Sequence, residues 1–326
     1  MFYKRKFTLF TCVIMSLCLL FSGCDTGRSN NDTVDSEFSV SFINVLDGNS
    51  VLINLKDKAS ILIDCGQKSK FAKENIYSEL DKVGVKTLDY LIISNPLPEN
   101  LANACDIIQS YEVKNVYLPY VLTEELFVEY SLVLSLVKSL GIEIKTSKTY
   151  EFIKVGELSL AFLSPAPYGS SNSPYNDLNT SEIPTIEQMK NVSPIIYLSY
   201  KNTRFLFCGN ALSSQEEYVI NNYKVGLYEK FYSPLDVEIN LSAVDFLVVG
   251  DHGSEYASSE EFVSLLTPSN AIISVSGNNK NKNPSAQTLY RFTSINPDIN
   301  FYRTDVFGTI RIEVNEYGKY ALVTDR

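Results

Sequence analysis

Short runs of β-forming residues alternate along this chain with longer stretches of helical spacing, and the alternation predicts a layered α/β domain. Three apolar runs, Phe38 to Val45, Ser50 to Leu55 and Ser60 to Asp64, are punctuated by Asp47-Gly48-Asn49 and Lys56-Asp57-Lys58, so neighbouring strands of a meander are expected. Phe71, Ile76, Leu80 and Val83 recur at roughly helical spacing between Lys70 and Gly84, and Asp89 to Ser94 reads as a buried strand. Further helices are predicted from Glu99 to Tyr111 and Thr123 to Leu140, with strands at Asn115 to Leu118, Glu143 to Thr146, Tyr150 to Lys154 and Leu158 to Leu163. The second half repeats this logic, with strands at Pro194 to Tyr200, Arg204 to Cys208, Val244 to Val249, Ala271 to Val275, Asn300 to Thr304, Gly308 to Val314 and Tyr320 to Thr324. Helices at Ser213 to Asn222, Ser258 to Leu266 and Pro284 to Thr293 lie between them. Two such halves predict two sheets face to face with helices outside. Residues Ser164 to Val192 are rich in Ser, Asn and Pro without an apolar period, which predicts a long polar surface loop.

The first residues follow a different rule. Lys4, Arg5 and Lys6 precede an apolar run from Phe7 to Phe21 and then Ser22-Gly23-Cys24, the order of a secretory signal peptide. A membrane-spanning helix needs about 20 apolar residues, and this run is shorter. Leu20-Phe21-Ser22-Gly23-Cys24 resembles a bacterial lipobox, which implies cleavage of residues 1–23 and lipidation of Cys24. Residues 24–37 are polar and read as a flexible tether, so residues 38–326 are expected to form one domain.

Charge and cysteine usage narrow the function. Removing residues 1–23 leaves 25 of the 28 basic residues against 38 acidic, a net of −13. No basic run is present, so no nucleic-acid partner is expected. Cys65, Cys105 and Cys208 remain beyond Cys24 at wide spacing beside apolar residues; they read as small buried hydrophobes, with one bridging pair still open in an exported protein.

Five segments then occur in a recognisable order. Phe42-Ile43-Asn44-Val45-Leu46-Asp47-Gly48-Asn49-Ser50 resembles "FIDVGQGDS", Ile61-Leu62-Ile63-Asp64-Cys65-Gly66 resembles "ILIDTG", and Phe205-Leu206-Phe207-Cys208-Gly209-Asn210 resembles "FLLTGD". Gly250-Asp251-His252-Gly253-Ser254 resembles an "HHGS" turn. Ser274-Val275-Ser276-Gly277-Asn278-Asn279, then Asn283-Pro284, then Arg303-Thr304-Asp305 with Gly308-Thr309-Ile310, resemble "SVGxNN…HP…RTDxxGTI". Together they resemble the metallo-β-lactamase-like domain of the ComEC type, found in competence DNA-uptake proteins and stand-alone relatives. The resemblance spans about Phe38 to Thr324 and implies an αββα four-layer sandwich.

It also implies a di-zinc hydrolase, and the departures fall on that chemistry. Where the family carries HxHxDH, this chain reads Asn95, Leu97, Glu99 and Asn100; the bridging aspartate is Asn210, one histidine of the paired turn is Asp251, and the histidine before proline is Asn283. His252 is the single histidine of the chain. Zinc sites of this class need several imidazoles and a carboxylate converging at about 2.0–2.2 Å, and amides are weak zinc ligands. No zinc or other cofactor is therefore expected. Glu99, Asp251 and His252 with the four asparagines form the alternative, an oxygen-rich pocket for Ca²⁺ or Mg²⁺. His252 in a turn is expected to be held by backbone hydrogen bonds; a Ser254 nucleophile beside it lacks an orienting third group. Gly253 reads as a special backbone position, Ser254 as a helix cap, Gly66, Gly209 and Gly308 as turn residues, and Asp64 as a structural carboxylate at a strand end.

These readings converge on a lipoprotein on the outer face of a bacterial cytoplasmic membrane, anchored by Cys24. Its cleft, rimmed by residues 94–100, 251–254, 278–283 and 164–192, would bind a small molecule or protein without catalysis. The alternative is a hydrolase of phosphoester-type bonds with a rebuilt oxygen-ligand site or a metal-free mechanism, in which Glu99, Asp251 and His252 are the catalytic candidates. A partner-binding subunit of a surface complex is a third possibility.

Overall fold

The computed structural model describes residues 36–122, 127–180 and 182–326. The expected signal peptide, Cys24 and all but the last two residues of the tether lie outside them. Among the described residues no helix is long and apolar enough to cross a membrane.

Fifteen strands among the described residues make two sheets. In the first, β1 (Phe38–Phe42), β2 (Val51–Leu55) and β3 (Ala59–Ile63) pair antiparallel, and β3 continues in parallel to β4 (Thr87–Ile92), β5 (Glu112–Leu118) and β6 (Glu143–Thr146). In the second, β7 (Phe152–Val155), β8 (Leu158–Phe162), β9 (Ile196–Tyr200) and β10 (Thr203–Phe207) are antiparallel, and β10 continues in parallel to β11 (Phe246–Val248), β12 (Asn270–Ile273) and β13 (Asn300–Arg303). The last two strands, β14 (Ile310–Val314) and β15 (Tyr320–Thr324), return to the first sheet, where β14 pairs antiparallel with β1.

The period of two in each strand explains the layers. Ile53, Ile61, Ile63 and Ile92 project between the sheets and meet Phe162, Phe205 and Phe246 of the second sheet, whereas Leu52, Leu62 and Leu91 project the other way, towards the helices. The second sheet likewise turns Leu206, Leu247 and Ile273 towards its own helices. Strands covered on both faces read as continuous apolar runs, so the described domain is an αββα sandwich with one inter-sheet core and two helix-side cores. Aromatic contacts join the sheets: Phe38 stacks on Tyr200 at 4.4 Å between centroids, and Tyr117 on Phe162 at 4.9 Å.

Helix starts follow capping chemistry. Ser69 accepts from the Ala72 N–H at the start of Lys70–Lys82, Ser259 from Phe262 N–H, and Ser285 from Thr288 N–H. Ser259 therefore caps the helix after the 250–254 turn, not Ser254. Arg311 of β14 forms an ion pair with the buried Glu79, tying the Lys70–Lys82 helix to the last strands. Cys65, Cys105 and Cys208 are all free thiols, the first and last fully buried.

Two element expectations need correction. The helix expected from Glu99 to Tyr111 is two, Pro98–Leu101 and Ala104–Ser110, because Asn103 between them turns its amide to the carbonyls of Cys65 (2.7 Å) and Gln67 (2.9 Å). Residues 164–192 do not form a long surface loop: described helices Pro174–Leu178 and Ile186–Asn191 lie within the segment. Tyr175, Leu178 and Val192 bury in the helix-side core of the first sheet, and the Tyr175 hydroxyl donates to the Ser147 carbonyl at 2.6 Å.

Candidate functional site: an amide centre at the parallel strand ends

Most segments singled out for chemistry follow the carboxyl end of a parallel strand: Asp64 follows β3, Ser94 to Asn100 follow β4, Asn210 follows β10, Asp251 and His252 follow β11, and Ser274 to Asn283 follow β12. Ligands of open α/β sheets bind in the crevice outside such ends. Asp64 secures the second segment, accepting from the Ser94 N–H and the Ser94 hydroxyl, each at 2.8 Å. Complete burial pushes its carboxyl up to about 7 against those two bonds, with Glu99 adding to the rise and His252 opposing it.

Asn210 is the hub. Its Oδ1 accepts from the amides of Asn100 (2.7 Å), Asn49 (2.9 Å) and Asn95 (3.2 Å). Its Nδ2 faces Glu99 Oε1 (3.2 Å), His252 Nε2 (3.3 Å) and Asp251 Oδ1 (3.4 Å). Asn95 also donates to Ser193 Oγ at 2.8 Å, and its oxygen accepts from the Leu97 N–H at 2.9 Å. Asn95, Asn100 and Asn210 have no exposed surface, and buried polar groups of this kind are stable only when paired.

The His252 ring is fixed from both sides. Nδ1 lies 2.7 Å from the Ser274 carbonyl, which requires a proton on Nδ1; in the neutral ring Nε2 is then the acceptor facing Asn210. Glu99 Oε1 stands 3.8 Å from Nε2. Burial disfavours the imidazolium, but the Glu99 and Asp251 carboxylates and the Ser274 carbonyl outweigh it, so the ring titrates above its usual range. The expected backbone anchoring of His252 is thus observed, while Ser254 Oγ has no partner among the described residues and makes no bond to the ring.

The turn itself is strained. Asp251 and His252 adopt successive left-handed conformations, φ 47° and 58°, which cost non-glycine residues of order 1–2 kcal/mol each. Asp251 is held there by its N–H to the Gly209 carbonyl (2.8 Å), and Asn283 Nδ2 donates to the Asp251 carbonyl at 3.3 Å. Gly253 has φ 78°, and a Cβ there would meet Pro284 Cβ at 2.7 Å.

Above the hub opens a cleft of about 380 Å³ lined by Leu97, Glu99, His252, Asn279, Asn283, Ile186 and Lys190, with Asp47 and Gln67 at the side. The sequence-predicted residues therefore divide. Leu97, Glu99, His252 and Asn283 face the cleft; Asn95, Asn100 and Asn210 lie buried around the hub; Asp251 turns its carboxylate to Lys190 Nζ, at 2.7 and 2.9 Å from its two oxygens. Two residues were missed. Asn49 stands where the family string "FIDVGQGDS" has its second acid, a signal present in the quoted segment. Lys190 lies in the segment read as a loop, and no local pattern marks it.

Measured against a di-zinc centre, this donor set does not fit. Leu97 carries no donor atom, one imidazole is present, and the hub oxygen already accepts three amide N–H groups. Among the described residues no three His, Cys, Asp or Glu side chains converge to hold an ion.

Fold and site together define a metallo-β-lactamase-like αββα sandwich with an amide-rich centre at its parallel strand ends. No family model matches the chain. It is similar to ComE operon protein 3 of Bacillus subtilis (strain 168), 24% identical over 305 residues, covering 89% of this chain. The chain spans about a third of that relative's length, 35%. Among solved structures it resembles CmlA, a diiron β-hydroxylase from Streptomyces venezuelae, at 12% identity and TM-score 0.50 over 86% of this chain and 54% of that one. The metallo-β-lactamase fold protein YhfI from Bacillus subtilis has 8% identity and TM-score 0.46, covering 82% of this chain and 96% of its own.

Proposed function

We propose that this protein is an exported lipoprotein, anchored through Cys24 to the outer face of a bacterial cytoplasmic membrane, whose metallo-β-lactamase-like domain has lost its di-zinc ligands and works by binding. The observation that carries the binding role is Asn210: its oxygen accepts three buried amide donors at 2.7–3.2 Å, so the centre of the site is self-satisfied and has no free lone-pair set for an ion. The left-handed pair Asp251–His252 supports a functional cleft, since such strain persists where the surroundings enforce it. The ligand is a small molecule or a protein segment that reaches Glu99, His252 and Asn283; nucleic acid is disfavoured by the net charge of −13 derived above. The anchor rests on the basic, apolar and Ser-Gly-Cys order of residues 4–24.

The test is metal analysis of protein purified without chelator, joined to a phosphodiesterase assay with and without Mn²⁺. Absence of stoichiometric metal and of turnover is expected. Tightly bound metal with hydrolysis abolished by Glu99→Ala or Asp251→Ala would sink the binding reading in favour of a rebuilt hydrolase.

A further inference from the structure

We infer that the position against Asp251 is a cation site which the chain fills with its own side chain, the ammonium of Lys190. Asp251 is 2% exposed as a residue, and both of its oxygens lie within 2.9 Å of Lys190 Nζ. A carboxylate so placed is costly unless paired. Among the described residues the other side-chain donor facing it is Asn210 Nδ2 at 3.4 Å, an amide it shares with Glu99 and His252. The Asp251 carboxylate is therefore neutralised from within the chain.

The cation is delivered from a built element. Lys190 sits in the Ile186–Asn191 helix, which Thr185 and Gln188 close with a reciprocal capping box. Ser214 Oγ donates to Asn191 Oδ1 at 2.7 Å and Asn95 Nδ2 to Ser193 Oγ at 2.8 Å, fixing the chain that follows Lys190. None of the motif segments contains Lys190, so the compensating charge comes from between them. Tethering gives the ammonium an effective concentration that free cations cannot match, and with Lys190 in place the site stays closed to them. Without it, the chemistry left behind, a buried carboxylate stripped of its counter-charge, takes small primary amines and hard divalent cations. This inference rests on the metal-free reading of the centre proposed above.

Thermal unfolding of the full chain tests it, with wild type, Lys190→Ala and Lys190→Met/Asp251→Asn compared in methylammonium chloride, CaCl₂ and NaCl of equal ionic strength. Lys190→Ala is expected to unfold roughly 5–10 °C below wild type. It should regain at least half of that loss in methylammonium or Ca²⁺ but not in NaCl, while wild type is unmoved. The double variant should recover without added cation and respond to none. Lys190→Ala responding no more to methylammonium or Ca²⁺ than to NaCl, or a double variant no more stable than the single, overturns the inference. Metal content and turnover of the wild type are separate readouts, so failure here leaves the binding reading standing, and its failure is seen independently.

Discussion

Replacing Asn210 by Ala removes the acceptor on which three buried amides converge. The three do not lose equally. Asn95 Nδ2 keeps Ser193 Oγ at 2.8 Å, and Asn49 Nδ2 keeps Asn100 Oδ1 at 3.3 Å. Asn100 Nδ2 keeps only a 3.5 Å approach to Ser94 Oγ, so it becomes the orphan. An unsatisfied buried donor costs about 1–3 kcal/mol and each weakened bond a fraction of that. With the small cavity left by the amide, the expected loss is about 3 kcal/mol. For a domain of this size that moves Tm by roughly 5 °C. Urea unfolding should show the midpoint shifted with the m-value unchanged. Truncating the orphan as well, in Asn100→Ala/Asn210→Ala, should cost less than the sum of the singles, because residues of one network couple. A loss below about 0.5 kcal/mol for Asn210→Ala, or strict additivity in the double, would refute the hub.

Two further outcomes follow from neighbouring residues. Asp64, raised to about 7 in the fold from 3.8, holds a proton there that the unfolded chain releases; its stabilising contribution is present below about pH 4 and is lost as pH rises towards 7. Asp64→Asn, which preserves a bond to each Ser94 group, should flatten that slope, worth at most about 4 kcal/mol between the two limits, as read by unfolding free energy against pH. A Cβ on Gly48 would overlap the Glu99 carbonyl oxygen and approach Gln67 N at 2.9 Å. Gly48→Ala should therefore destabilise by at least about 2 kcal/mol and shift the amide resonances of Leu97, Glu99 and Asn100, with wild-type-like values counting against the packing argument.

Much of this architecture was legible because strands covered on both faces leave an unmistakable apolar run. The pattern around Ile61-Leu62-Ile63 and Phe205-Leu206-Phe207 predicts a strand from local composition alone, and its alternate residues supply two different cores. The return of β14 and β15 to the first sheet was not legible, since the register Val40↔Ile312 links residues that no local period connects. Residues 164–192 misled for a related reason: Tyr175 and Leu178 bury through tertiary contacts that a polar segment does not advertise. At the site, the motif order pointed to Asn95, Asn100, Asn210, Asp251 and His252 as residues that converge. It did not reveal that the amides bond to each other, or that Asp251 turns to Lys190, because partner choice across the sheets is set by the fold.

The pairing of β1 with β14 also has a kinetic side. Phe38 meets Val314, and β1 lies between β2 and β14 instead of at an edge. Half of its ladder forms only after nearly the whole chain has been made, so the domain has high contact order and should fold slowly and as one unit. A chain stopping short of Ile310 would present Phe38, Val40 and Phe42 on an open sheet margin, a template for pairing with other copies. Loss of the last seventeen residues of such a protein would thus be felt first as aggregation, far from the cleft.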